Sequence, residues 1–167
     1  MAKDLKNSFL DAKTIELLQY RIQQEELSSR IYEQMALWLN DRGYINASKH
    51  WLQDSADELT HAGWAKDFLL SFGVQPELRK LDAPDNDFEG FPEIIELSYQ
   101  HEIDVTNQCQ ALAKHANQTN NYLLLTLALK YVAEQVEELD KLQTLLDKLE
   151  TFGTDPIALK LLENDLS

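Results

Sequence analysis

Four long stretches of this chain carry apolar residues at helical spacing, and each is interrupted near its middle by a carboxylate. Residues three and four apart share one face of a helix. The first stripe reads Leu18, Ile22, Glu25, Ser29, Tyr32, Ala36, and the second reads Trp51, Asp54, Glu58, His61, Ala65, Phe68, Phe72. The third reads Ile95, Ser98, Glu102, Val105, Cys109, Leu112. The fourth reads Leu124, Ala128, Tyr131, Gln135, Glu138, Leu142, Leu145, Leu149. Each is fit for a protein core except for its acid. A carboxylate is costly to bury unless it is paired or holds a metal. The chain must therefore fold so that four such faces meet and their acids are resolved together.

Glycine (5) and proline (4) are scarce in the 167 residues, while Leu, Ala, Glu, Gln and Lys are plentiful, which favours helices. The periodicity predicts helices over about 11–40, 46–72, 92–117 and 122–152, and a short one over about 156–166. Gly43, Gly73 and Gly153 are placed to end three of them, Asn46 is a candidate N-cap, and Pro92 and Pro156 suit first turns. A few residues join the first helix to the second and the third to the fourth, which makes antiparallel neighbours. Residues 74–90, with Pro76, Pro84 and Gly90, are too many for a tight turn. At roughly 3.3 Å per residue, they can span on the order of 50 Å, enough to traverse a bundle. The expected fold is all-α: one domain over 1–167, an up-down-down-up four-helix bundle with one long crossover and a short fifth helix.

The acids bear on partners as well as on fold. The formal net charge is −14, a surface that repels nucleic acid and anionic membranes and attracts cations. No apolar run approaches a membrane span, and Met1–Leu10 lacks the apolar core of a signal peptide. The single cysteine, Cys109, rules out an intrachain disulfide and fits a reducing compartment, so the expected setting is the cytoplasm.

Antiparallel helices of similar length place their midpoints at one level. Glu25, Glu58 with His61, Glu102, and Glu138 with Gln135 are thus expected in a single layer. Four uncompensated carboxylates there would repel one another. Two divalent cations neutralise them, and a carboxylate-rich set with one imidazole suits iron or manganese. Taken singly, each motif has a plainer reading: Glu58 and His61 as a solvated helical pair, Glu134, Glu137 and Glu138 as a solvated face, Tyr32 as core packing. His101 is expected at the surface, about 100° from Glu102 around the helix. Jointly, the plain reading needs an acid misplaced on all four helices.

Glu25-x-x-Ser-Ser-x-x-Tyr32, Asp57-Glu58-x-x-His61, His101-Glu102 and Tyr131-Val-Ala-Glu134-Gln135-Val-Glu137-Glu138 resemble the motifs of the ferritins, specifically the non-haem bacterial type. The resemblance extends from about Thr14 to Leu166. It implies iron storage and detoxification: Fe(II) is oxidised at an intrasubunit di-iron ferroxidase centre by dioxygen or peroxide, and Fe(III) is deposited as mineral inside a hollow cage of 24 like subunits. It implies Glu25, Glu58 and His61 around a first iron. Glu58 would bridge to a second iron held by Glu102, with Glu138 as an outer or additional ligand. Gln135 would lie beside the dioxygen site, and Tyr32 would hydrogen-bond the centre and donate an electron. A third, weaker site would use Glu134, Glu137 and Glu138, with Asp57 where the family commonly has Glu.

Departures narrow the type. Bacterioferritins carry a second Glu-x-x-His on the fourth helix; here Glu137 follows Glu134 at that spacing. They also bind haem through a methionine next to the ligand Glu of the second helix, where this chain has Leu59, so no haem is expected. Leu125 and Ala128 replace the channel acids of animal-type ferritins. Three rivals remain. A rubrerythrin-like di-iron peroxidase would bring two Glu-x-x-His motifs and often a Cys-rich module. A non-catalytic cage subunit would have lost centre ligands. A DNA-binding mini-ferritin would need a basic tail, for which Lys3, Lys6 and Lys13 are too few.

Overall fold

The computed structural model describes residues 9–166; the terminal Lys3 and Lys6 lie outside them. Five helices follow one another: α1 (Ala12–Asp41), α2 (Ile45–Ser71), α3 (Phe91–Gln118), α4 (Tyr122–Phe152) and α5 (Pro156–Asn164). No helix among the described residues is long and apolar enough to cross a membrane.

The helix ends follow from local chemistry. The Asp11 side chain accepts from Thr14 N at 2.7 Å to open α1, and Asn121 and Asp155 do the same for α4 and α5. Gly43, Gly73 and Gly153 follow helix ends with φ of +84°, +76° and +88°, a region L-residues avoid. The start of α2 differs from expectation. Its N-cap is Tyr44, which offers no side-chain bond. Asn46, expected to be the cap, is inside the helix, and its backbone N–H donates to Glu163 Oε1 of α5 at 2.5 Å. The fifth helix thus supplies the acceptor that the local sequence lacks.

Two apolar clusters fill the bundle. One gathers Leu18 and Ile22 from the start of α1, Ala65 and Leu69 from the end of α2, Val105 and Leu112 from the second half of α3, and Leu124 and Ala128 from the start of α4. The other gathers Leu39, Trp51, Ile94 and Leu145 from the opposite ends, closed by Leu159 and Leu162 of α5. This pairing of starts with ends is the up-down-down-up order. Between the clusters lies a buried polar layer: Glu25, Ser29, Ser55, Glu58, His61, Glu102, Gln135 and Glu138.

Residues 72–90 run back along α1. Glu77 N donates to Gln19 Oε1 at 3.0 Å, and Gln23 Nε2 donates to Lys80 O at 2.8 Å. Arg79 forms a two-pronged pair with Glu16 at 2.8 and 2.7 Å. Farther along, Phe88 packs edge-on against Trp38 with ring centroids 5.7 Å apart.

Candidate metal centre

Glu25, Glu58 and His61 come together at the seam between α1 and α2. Each offers a ligand atom, and the three atoms lie within 4.8 Å of one another. His61 Nδ1 and Glu58 Oε2 are 3.1 Å apart. Small residues let the two helices close here: Ser55 Oγ donates to Ser29 O at 2.8 Å and lies 3.0 Å from Ser29 Oγ. The Tyr131 hydroxyl donates to His61 O at 2.6 Å, fixing α4 against the same turn.

A second group faces it from α3 and α4. Both oxygens of Glu102 are occupied: Tyr32 donates to Oε1, and Gln135 Nε2 donates to Oε2 at 2.7 Å. Thr106 Oγ1, 3.3 Å from Gln135 Nε2, steadies the amide. Glu138 is buried, and its Oε1 accepts from Lys141 Nζ at 2.8 Å. Glu134 is half-buried, with Oε1 3.6 Å from His61 Nε2. Glu137 is exposed, in a surface groove with Tyr99 and Gln143, and Asp57 accepts from Gln53 at 2.9 Å.

His101 departs from expectation. It is half-buried, with Nε2 2.7 Å from Ser28 Oγ and its ring edge-on to Tyr32 at 5.7 Å. The direction about 100° from Glu102 around the helix points at α1 rather than at water.

Two residues of the layer escape a reading by motif. Arg21 is 2% exposed, one turn before Glu25, with Nε 2.7 Å from Glu25 Oε1. An Arg and a Glu four apart are ordinarily a surface pair, so spacing gave no warning. Asp54 sits on the α2 stripe one turn before Glu58, and His50 Nε2 is 3.7 Å away. Its place on an apolar stripe was the signal available.

The electrostatics are those of a crowded acid layer. Burial, and then repulsion from Glu25, Glu102 and Glu138, hold the Glu58 carboxyl well above the usual range. Burial raises Glu102 too, although the Tyr32 and Gln135 hydrogen bonds pull it down. Asp54 is pushed up to about 7, by burial first and by Glu138 next. Burial and the Glu102 charge raise the Tyr32 phenol, so it remains a donor. Glu25 Oε2 is buried with no N–H or hydroxyl donor, and the Glu25 carboxyl is within hydrogen-bond reach of the Glu58 carboxyl. Buried polar atoms are normally satisfied, and an orphaned carboxylate oxygen beside a carboxylate and an imidazole is what a bound cation would satisfy. The donor set, oxygen-rich with one nitrogen, fits iron or manganese.

A family model described as a ferritin-like domain matches residues 15–152. A probable bacterial non-heme ferritin-like protein of Haemophilus influenzae is 28% identical over 157 residues, covering 94% of this chain and 95% of that protein. A bacterial non-heme ferritin of Escherichia coli is 27% identical over 158 residues, covering 95% and 96%. The open pore ferritin of the hyperthermophilic archaeon Archaeoglobus fulgidus superposes with a TM-score of 0.91 at 29% identity, covering 95% of this chain and 98% of that one. The chain belongs to the ferritin family.

Proposed function

We propose that this protein is a non-haem ferritin that stores iron, and that its buried acid layer is a ferroxidase centre within each subunit. Iron is its substrate and its cargo. The observation that carries the reading is the buried Glu25, Glu58 and His61 cluster, with an orphaned carboxylate oxygen on Glu25 and with Glu102 opposite. Glu25, Glu58 and His61 would take one Fe(II). Glu102 would take a second, with Glu138 near it, and Glu58 would lie between them, since its carboxyl feels both Glu25 and Glu102. Of the weaker third set, Glu134 sits against His61 and Glu138 is buried in the layer; the exposed Glu137 would have to turn inward to join them.

Each Fe(II) gives up one electron, so a pair reduces dioxygen to peroxide, or peroxide to water. The chain's own contribution is to position and to neutralise. Tyr32 and Gln135 orient Glu102 through its two oxygens. Tyr131 fixes the turn that carries His61. The apolar clusters on either side keep bulk water out. Two dications would displace the protons that burial favours on Glu58 and Glu102.

The relatives named above are ferritins, which supports a cage of like subunits, 24 in the family. Net charge of −14 supports accumulation of cations inside it. The single domain, the absence of haem and a cytoplasmic setting belong to the same proposal. Crystals soaked anaerobically in Fe(II) test it. Anomalous scattering is expected at two positions per chain, one among Glu25, Glu58 and His61 and one at Glu102. Crystals with no iron in this layer would contradict the proposal.

A further inference from the structure

Among the described residues no lysine and no other arginine is buried as Arg21 is. Its Nε is 2.7 Å from Glu25 Oε1, as an ion pair rather than an aligned hydrogen bond. Its Nη1 donates to Gln108 Oε1 at 2.9 Å and to Cys109 Sγ at 3.6 Å. Its guanidinium carbon lies 6.0 Å from the centre of the Tyr131 ring. Anchors from α3 and α4 therefore hold a cation that α1 carries. Burying such a pair gains little stability over apolar residues of similar volume, because desolvation offsets the attraction. Cys109 and Tyr131, which Arg21 meets, belong to an apolar cluster with Leu18, Ile22, Leu112 and Leu124, surroundings that suit an apolar side chain. What the arginine does that a leucine could not is to occupy one oxygen of Glu25.

We propose that Arg21 is a positioning residue of the metal centre: it holds Glu25 Oε1 and leaves Oε2 as the only oxygen of Glu25 free to bind metal. This rests on the reading of Glu25, Glu58 and His61 as the first iron site. A carboxylate can grip a cation with one oxygen or with both. Held by Arg21, Glu25 fills one coordination position instead of two, and the position saved stays open for the oxidant. The guanidinium also offsets one of the buried acids while the site awaits metal.

Cobalt(II), an air-stable stand-in for Fe(II), provides the test on the full assembled protein. In Co(II)-soaked wild-type crystals, Glu25 is expected to bind through Oε2 alone, with Arg21 still against Oε1. Both oxygens on the metal and Arg21 displaced would overturn the proposal. In solution, Arg21→Gln frees Oε1, the coordination number rises, and the visible Co(II) absorption per bound metal falls by roughly twofold. Arg21→Lys keeps a cation within reach and retains the wild-type band. An Arg21→Gln spectrum superimposable on the wild type overturns the proposal. Glu58→Ala separates this from failure of the site itself: it abolishes the band if the iron-site reading holds and leaves it unchanged if that reading is wrong. If Arg21→Gln does not assemble, the wild-type crystals decide the matter alone.

Discussion

At the scale of single residues, the centre is a set of carboxyl groups held away from their ordinary behaviour. Burial raises Glu58, Glu102 and Asp54 together, Asp54 to about 7, so the metal-free protein holds protons more firmly here than exposed carboxyls would. Metal binding requires deprotonated ligands. Zinc(II) added at pH 7 in weak buffer should therefore release protons, and Glu58→Ala should release fewer; no release from the wild type would show the acids already ionised. Asp54 gives a second expectation. Its folded value of about 7 lies above the roughly 3.9 of an exposed Asp, so stability falls as pH rises from near 4 through 7 and then levels off. Asp54→Asn should raise the melting temperature of the metal-free protein more at pH 8 than at pH 4; equal gains would contradict the shift. Glu138, Asp57 and Glu102 work against ionisation here and Lys141 works for it. Legibility varied with how each residue announces itself. Glu25, Glu58 and Glu102 stand out because an acid breaks an apolar period. Arg21 does not, since i, i+4 from a Glu is where a surface pair also sits.

At the scale of elements, the helices and their order follow from period, caps and connection lengths, all of which are local. What stays hidden is the cross-chain contact. The α2 N-terminus borrows its acceptor from Glu163, 117 residues away, while Lys160 Nζ donates to the other Glu163 oxygen at 2.7 Å. No local rule predicts that, and it makes the short fifth helix a clamp on α2. Glu163→Ala should cost about 1–2 kcal/mol, read as a lower unfolding temperature with the site spectrum intact. Burial pushes the Glu163 carboxyl up, but Lys160 and the α2 backbone N–H groups outweigh it, and the net value is lowered. Its contribution is thus present above the ordinary Glu value and lost as pH falls below it. The Glu163→Ala deficit should shrink on acidification toward pH 3; a deficit unchanged with pH would argue against the clamp. His101 teaches the same lesson as Glu163. Its direction around α3 was legible, but the neighbour it meets, Ser28 on α1, depends on how the bundle closes.

At the scale of the whole molecule, the bundle leaves large apolar side chains uncovered, among them Ile157 at 75% and Leu161 at 58% exposure on α5. In the proposed shell of like subunits, exposed apolar side chains such as these are where a further chain would pack. Light scattering should report a large assembly; a monomer or dimer at micromolar concentration would reject the cage. Assembly alone leaves the chemistry open, since an inert subunit could build the same shell. The proposed centre differs from an inert shell in that its buried acid layer oxidises iron, and Glu58, which pairs with His61 and feels both Glu25 and Glu102, is the residue whose loss should show it. Stopped-flow oxidation of a few Fe(II) per subunit by dioxygen tests this most directly, comparing wild type with Glu58→Ala. A variant that assembles normally yet loses the fast phase by a factor of about 100 or more (roughly 2.7 kcal/mol of barrier) is the predicted result; an unchanged initial rate would contradict it.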